Sequence, residues 1–201
     1  MVSANPKLHI LPVAGVRWGV AYAGIKSAAE YPSNDLAVME LASSSQCAAL
    51  FTQNAFCAAP ITVAKNKLAS IAEQKNSSAI YLLINSGNAN AGTGDEGYRA
   101  AELSCQLVAE SINCDAQQVL PFSTGVIGQS LPVEKIQAVS DALNASLSTD
   151  SWSLAAEAIM TTDTVAKGFS RTMEIDGKSG TVSGICKGAG MIRPTMATML
   201  A

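Results

Sequence analysis

A chain of 201 residues has room for one medium domain or two small ones. With 48% hydrophobic and only 14% charged residues it can bury a large core. Its surface is then short of charge for a free monomer, which favours burial against another chain or segment. A formal net charge of −3, no lysine/arginine run and few aromatics argue against nucleic acid and anionic membrane as partners.

Val16 to Ala23 sets Trp18, Val20 and Tyr22 against small residues and breaks at Gly24, as a strand near a sheet edge would. Leu36 to Leu41 is a second strand, with Asp35 as the turn residue before it. Cys47 to Thr52 is a third apolar run, and Phe51 to Lys65 reads as a buried strand, a turn and a helix start around Pro60. Ile71 to Ser77 is polar and turn-like. Ala79 to Ile84 is continuously apolar, as a fully buried strand is.

That strand feeds Asn85-Ser86-Gly87-Asn88-Ala89-Asn90-Ala91-Gly92-Thr93-Gly94. Such a stretch either offers backbone N–H groups to an anion or carbonyl, or is a plain loop whose asparagines tolerate left-handed angles. It has no lysine in the Walker position, and its glycines do not follow G-x-G-x-x-G. Gly97 to Asn113 repeats apolar residues at helical spacing, behind Asp95 and Glu96 at the positive end. Gln118 to Pro121 is a short strand. In Ser123-Thr124-Gly125-Val126-Ile127-Gly128, a hydroxyl and a glycine N–H at a strand end can aim at one point, as an oxyanion requires; the same residues also make a simple turn. Pro132 to Leu147 and Trp152 to Met160 are helices. A hydroxyl-rich turn, Thr161-Thr162-Asp163-Thr164, follows. Ser170 to Ile175 and Thr181 to Cys186, about Gly177, form a hairpin that delivers Lys187.

The stretch from Cys186 to Ala201 combines Gly188, Ala189 and Gly190, a lysine, Pro194 and then Met196-Ala197-Thr198-Met199. A threonine hydroxyl needs an adjacent base to act as a nucleophile. Cutting the chain just before Thr198 supplies one, because the new α-amine titrates near neutrality beside its own hydroxyl. The small Ala197 leaves its carbonyl open to attack by that hydroxyl. Lys187 can assist as a cation or a neutral amine, according to its burial. Gly-Ala-Gly is equally an ordinary turn, and threonine after alanine an ordinary loop residue.

The five cysteines, Cys47, Cys57, Cys105, Cys114 and Cys186, form no C-x-x-C pair, and His9 is the one histidine. No metal site and no disulfide framework is expected, and the thiols are those of a reduced, cytoplasmic protein. Met1 to Pro12 lacks the apolar run of a signal peptide, and no uncharged apolar run is long enough to span a bilayer.

Lys187-Gly-Ala-Gly-Met-Ile-Arg-Pro-Thr-Met-Ala-Thr-Met-Leu200 resembles the self-cleavage signature of the arginine-biosynthesis bifunctional proteins, the glutamate N-acetyltransferase/ornithine acetyltransferase family. The resemblance extends to Phe51-Thr-x-Asn-x-Phe-x-Ala-Ala-Pro60, Asn85-Ser-Gly-Asn-Ala-Asn-Ala91, Thr124-Gly-Val-Ile-Gly128 and Met160-Thr-Thr-Asp-Thr164, in the family's order over nearly the whole chain. It implies an α/β layered sandwich, mixed β-sheets in the middle and helices outside, like that of the self-cleaving aminopeptidases. It implies cleavage between Ala197 and Thr198, making residues 1–197 an α chain and 198–201 the start of a β chain.

By the same resemblance Thr198 is the nucleophile, and Thr124 and Gly125 form the oxyanion hole. Lys187 and Thr161, with Thr162 as the alternative to the latter, bind substrate. The implied reaction moves an acetyl group from N-acetylornithine to glutamate through an acetyl-threonine. No resident cofactor is implied; acetyl-CoA is a second donor for some members. The partner is the chain's own β part, in an α2β2 heterotetramer. Family precursors run well past residue 201, so the sequence reads as an N-terminal piece. A self-activating aminopeptidase of the same fold, or an inactive assembly subunit, are the rival readings. The first would not need the Asn-Ser-Gly-Asn and Lys-Gly-Ala-Gly-Met-Ile signatures together.

Overall fold

Alternation along the first strands decides how the chain layers. The computed structural model describes residues 8–26, 32–43, 45–74, 78–189 and 199–201. β1 (Val16–Ala21) pairs antiparallel with β2 (Leu36–Leu41), and β2 pairs antiparallel with β3 (Ile80–Asn88). After α2 (Gly94–Ile112) the chain returns as β4 (Val119–Val126), parallel to β3, so the sheet is mixed, with strand order β1-β2-β3-β4. Leu36, Val38, Tyr81, Leu83 and Val119 share one face. There they meet Cys105 and Val108 of α2 and Ile136 and Leu143 of α3 (Val133–Ala145). Successive strand residues point to opposite faces. Val16, Trp18, Ala37 and Ile84 therefore pack on the other side, against Trp152, Ala155 and Ala158 of α4 (Trp152–Ala158). Helices thus cover both faces of a mixed sheet, the α/β layering that the sequence implies.

Trp18 and Trp152 pack edge to face, with ring centroids 5.7 Å apart, and join the sheet to α4. Neither buried indole N–H finds a hydrogen-bond partner among the described residues. On the opposite side α1 (Ala59–Gln74) packs against β4 and α2. Pro60 sits in its first turn, where a missing N–H costs nothing. The fully buried Lys67 of α1 donates to the Ala116 carbonyl at 2.9 Å and pairs with Glu102 of α2 at 3.0 Å. Asn113 ends α2 in the left-handed conformation, φ 62°, with its N–H returned to Ala109 and Glu110.

Several expected boundaries move. Cys47 to Thr52 forms no strand, because the sheet order leaves no neighbour for one, and Leu50 is 86% exposed. Of Ile71 to Ser77, expected to be turn-like, Ile71 to Gln74 form the last turn of α1, and residues 75–77 lie outside the described residues. The strand expected to end at Ile84 runs on to Asn88, and the one expected to end at Pro121 runs to Val126, since each completes the other's hydrogen-bond ladder. The second and third expected helices, ending at Leu147 and Met160, stop at Ala145 and Ala158.

β5 (Lys167–Ile175) and β6 (Lys178–Cys186) form a separate hairpin. Asp176 and Gly177 both take positive φ, 51° and 73°, as a two-residue type I′ turn demands. The side carrying Ser170 and Ser183 lies on the N-terminal segment. There Leu11 N–H donates to Ser170 Oγ at 2.9 Å, and Ser183 Oγ donates to the Leu11 carbonyl at 2.6 Å. The other side carries Phe169, Met173, Ile175 and Val182, and Phe169 is 72% exposed. The inward side is half-buried near the hairpin's base, where Ile185 packs against the core, while the outward side leaves its apolar residues in the open.

Gly19 tests the layering. A Cβ there would stand 2.4 Å from the Leu143 carbonyl oxygen at the end of α3, whereas a Cβ at Gly180 would meet nothing within 4 Å. Gly19→Ala should cost about 1–3 kcal/mol by overpacking and lower Tm by several degrees. Gly180→Ala should leave Tm unmoved. Equal shifts in calorimetry would contradict this packing of α3 on β1.

Candidate active site

The parallel strands β3 and β4 end side by side, with Ser86 opposite Thr124 and Gly87 opposite Gly125, and their register slips at Gly87/Asn88. Gly87 has φ 104° and Gly125 φ 137°. A Cβ on Gly125 would lie 2.3 Å from the Gly87 carbonyl carbon, and one on Gly87 would lie 2.8 Å from the Lys26 nitrogen. Three backbones therefore touch here, and both strand positions require glycine.

The asparagines around this junction face inward. Asn85 Nδ2 donates to the Asn88 carbonyl at 2.8 Å. Asn88 Nδ2 donates to the Gln129 and Ser130 carbonyls at 3.2 and 3.1 Å, and its Oδ1 accepts Asn90 N–H at 2.7 Å. Asn90, fully buried, donates to the Gly97 carbonyl at 2.8 Å and accepts from Thr93 Oγ1 at 2.8 Å. The segment is half strand and half turn, and its amides are used by its own frame.

Thr124 is buried, and its Oγ1 accepts a hydrogen bond from Lys187 Nζ at 3.0 Å. Lys187 is buried too, at 4% exposure. Burial lowers its pKa; Asp163 nearby acts in the opposite direction, and Lys167 adds to the lowering. A lysine ammonium only donates. While Lys187 is charged, Thr124 Oγ1 is the acceptor and its own hydrogen remains for another oxygen. The Lys187 N–H donates to the Leu200 carbonyl at 2.9 Å, which ties the segment after position 198 to the same lysine.

Asp163 was read in the sequence only as part of a hydroxyl-rich turn. Its side chain is wholly buried; Oδ1 accepts Gly188 N–H at 2.8 Å and the Lys167 ammonium, and Oδ2 accepts Thr161 N–H at 3.3 Å. Burial by itself would raise its pKa, but Lys167 and the two N–H groups outweigh burial and hold it at about 2. Thr161 is half-buried and reaches the cluster through its backbone, while Thr162 is exposed.

Asp35 was read as a turn residue. It is buried, and its carboxylate accepts the N–H groups of Ala23, Ile25 and Lys26. Lys26 in turn donates to the carbonyls of Asn34 and Ala158 at 3.2 and 3.1 Å. Burial lowers its pKa, and Asp35 counters that. Of the site residues expected from the sequence, Thr124, Gly125 and Lys187 come together, and Thr161 is linked to them through Asp163. Ala197 and Thr198 lie outside the described residues.

A buried ammonium on a buried threonine, beside two touching glycines at the end of parallel strands, defines an α/β protein with a hydroxyl-and-amide site. The ArgJ family model matches residues 17–201, and the chain belongs to that family. It is 50% identical over 194 residues to the arginine biosynthesis bifunctional protein ArgJ of Methylococcus capsulatus, covering 96% of this chain and 45% of that protein. It is 51% identical over 195 residues to ArgJ of Pseudomonas fluorescens, covering 97% and 45%. The chain spans about half the length of these curated relatives. Among solved structures it resembles ornithine acetyltransferase from Mycobacterium tuberculosis in complex with ornithine (TM-score 0.76, 31% identity, 90% of this chain and 92% of that one). It also resembles ArgJ from Bacillus halodurans (TM-score 0.76, 31% identity, 96% and 98%).

The depressed pKa of Asp163 links the cluster to acid stability. A carboxylate near 2 when folded and near 3.9 when unfolded contributes about 2 kcal/mol above the unfolded value. That contribution is fully present above pH about 4 and is lost as pH falls towards 2. Denaturant titrations from pH 6 to 2 should therefore show wild type losing more stability below pH 4 than Asp163→Asn. Parallel losses would contradict the pairing.

Proposed function

We propose that this chain supplies the acyl-transfer site of a glutamate N-acetyltransferase of the ornithine acetyltransferase type, acting in arginine biosynthesis. The observation that carries the reading is the buried Lys187–Thr124 hydrogen bond beside Gly125, with Leu200 tied to the same lysine. Thr198 stands two positions before Leu200 in the sequence. The membership of the ArgJ family and the likeness to an ornithine-bound acetyltransferase support the substrate class.

In this reading the chain is cut between Ala197 and Thr198, dividing an α part, 1–197, from a β part that starts at Thr198. The solved chains are about as long as this one, while the curated relatives are about twice as long, and that contrast supports a chain break in this region. The new Thr198 α-amine takes the hydroxyl proton as Oγ1 attacks the acetyl carbonyl of N-acetylornithine. Thr124 O–H and Gly125 N–H receive the oxyanion. Collapse breaks the carbon–nitrogen bond, the proton passes to the departing amine, and ornithine leaves an acetyl ester on Thr198. The amine of glutamate attacks that ester, giving N-acetylglutamate and free Thr198. Lys187 orients Thr124 and faces the substrate, and Thr161 contacts the amino-acid part. Acetyl-CoA, a substrate rather than a resident group, is a second donor to try in the same assay.

The β part is the partner we assign to the apolar side of the β5–β6 hairpin, in an α2β2 assembly. Relatives twice as long supply the missing mass, and Phe169, Ile175 and Val182 supply the surface. No helix among the described residues is long and apolar enough to cross a membrane. The compartment we propose is the cytoplasm.

The test uses the full-length gene product. Wild type should give a smaller product whose N-terminal residue is Thr198, at a rate independent of protein concentration. Thr198→Ala should stay in one piece, and Thr198→Ser should still cleave. A different N-terminus, or normal cleavage of Thr198→Ala, would end the nucleophile assignment.

The oxyanion pair has its own test. Thr124→Ala should lower kcat for acetyl transfer by about a hundredfold or more, the usual scale for one lost oxyanion donor. An unchanged kcat would remove Thr124 from that role.

A further inference from the structure

Asp163 takes no part in the steps above, yet the cluster converges on it. Its wholly buried carboxylate receives the Gly188 N–H, directly after Lys187, together with the Lys167 ammonium at the start of β5 and the Thr161 N–H after α4. We propose that Asp163 is a positioning residue for acyl transfer, which fixes the Lys187–Gly188 peptide and keeps Lys187 an ammonium, so that Thr124 stays a hydrogen-bond donor to the oxyanion. The proposal rests on the acyl-transfer reading.

The groups facing Lys187 set the electrostatics. Thr124 of β4 offers a neutral oxygen at 3.0 Å. Lys167 opposes the charge, and Asp163 supports it. Lys26, in the segment after β1, is close enough to be depressed by Lys187, and it is held by Asp35 and two carbonyls. Among the described residues, Asp163 is thus the carboxylate that favours the charged form of Lys187. Without its charge, a buried ammonium facing another ammonium gives up its proton at lower pH. A neutral Lys187 amine then accepts from Thr124, and the hydroxyl hydrogen is no longer offered to the oxyanion.

Asp163→Asn is the informative change, because its amide oxygen can still accept the Gly188 N–H. The enzyme is assayed with both of its parts present, for kcat and KM across pH 6 to 10, with thermal unfolding alongside. Comparing the two enzymes at each pH cancels the titration of the Thr198 amine. The expected result is a KM within about threefold of wild type and an alkaline limb of kcat displaced to lower pH. The wild-type to variant ratio of kcat should grow by up to about tenfold per pH unit there.

Asp163→Glu keeps the charge, so its alkaline limb should stay at the wild-type pH even where kcat falls. An Asp163→Asn limb at the wild-type pH, with wild type active, would overturn the proposal and leave the acyl-transfer reading standing. If Asp163→Asn does not fold, Asp163→Glu decides: a limb moved to lower pH overturns the proposal. Wild type without acetyl transfer at any pH would instead sink the reading on which the proposal rests.

Discussion

The structure depends on two backbones being allowed to touch. Gly87 and Gly125 lie opposite each other at the ends of parallel strands, too close for a Cβ on Gly125, while a Cβ on Gly87 would strike the peptide between Ile25 and Lys26. With a side chain at Gly125, β3 and β4 would have to part just after Thr124. The contact lets β4 continue past Thr124 and bury it beneath Lys187. The cost is a slipped ladder with backbone groups out of register, and buried polar groups need partners. The amides of Asn85, Asn88 and Asn90 supply them by bridging between the strands, the 129–130 backbone and the start of α2. Asp35 does the same for the segment at 23–26.

The second constraint is charge in a dry place. Lys26, Lys167 and Lys187 surround one corner of the sheet, and an ammonium is costly to bury without partners. Each is answered differently. Lys167 has a carboxylate in contact, Lys26 has two carbonyls and the field of Asp35, and Lys187 has a threonine oxygen and the field of Asp163. Lys187 is the one held by a neutral hydroxyl. That contact places the ammonium on the hydroxyl oxygen. It is well suited to fixing which way the hydroxyl hydrogen points.

Much of this was legible in the sequence where periodicity or chemistry is local. β2 has the limits expected from its apolar run after Asp35, and the hairpin turn at Asp176-Gly177 follows from residues that accept positive φ. Thr124, Gly125 and Lys187 could be picked out because the short motifs that hold them resemble those of a known family; their local chemistry alone is equally that of simple turns. Pairing could not be seen. The length of β3 and β4 comes from each other, so reading either strand alone ended it where its apolar run ended, at Ile84 and near Pro121. Asp35 and Asp163 were invisible for the same reason. An aspartate among threonines looks like a turn residue until the Gly188 N–H, from a distant segment, is seen to point at it. The run from Cys47 to Thr52 misled in the opposite direction, since apolar composition does not supply a neighbouring strand.

The hairpin joins the strand ends to the lysine cluster. Lys167 opens β5, and its register partner Cys186 closes β6, directly before Lys187. Both lysines of the Asp163 cluster therefore stand at the hairpin's base. Its far end is the turn at Asp176-Gly177, and its outward face is the apolar one. The inward side is seated on residues 8–11 by two hydrogen bonds through Leu11 and by Ile185, which packs against the core beside α4. A two-stranded ribbon is marginal by itself in water, so what covers Phe169, Ile175 and Val182 also settles the ribbon. The base of that ribbon is the Asp163 cluster, so one continuous ladder of backbone hydrogen bonds runs from the site to the apolar face.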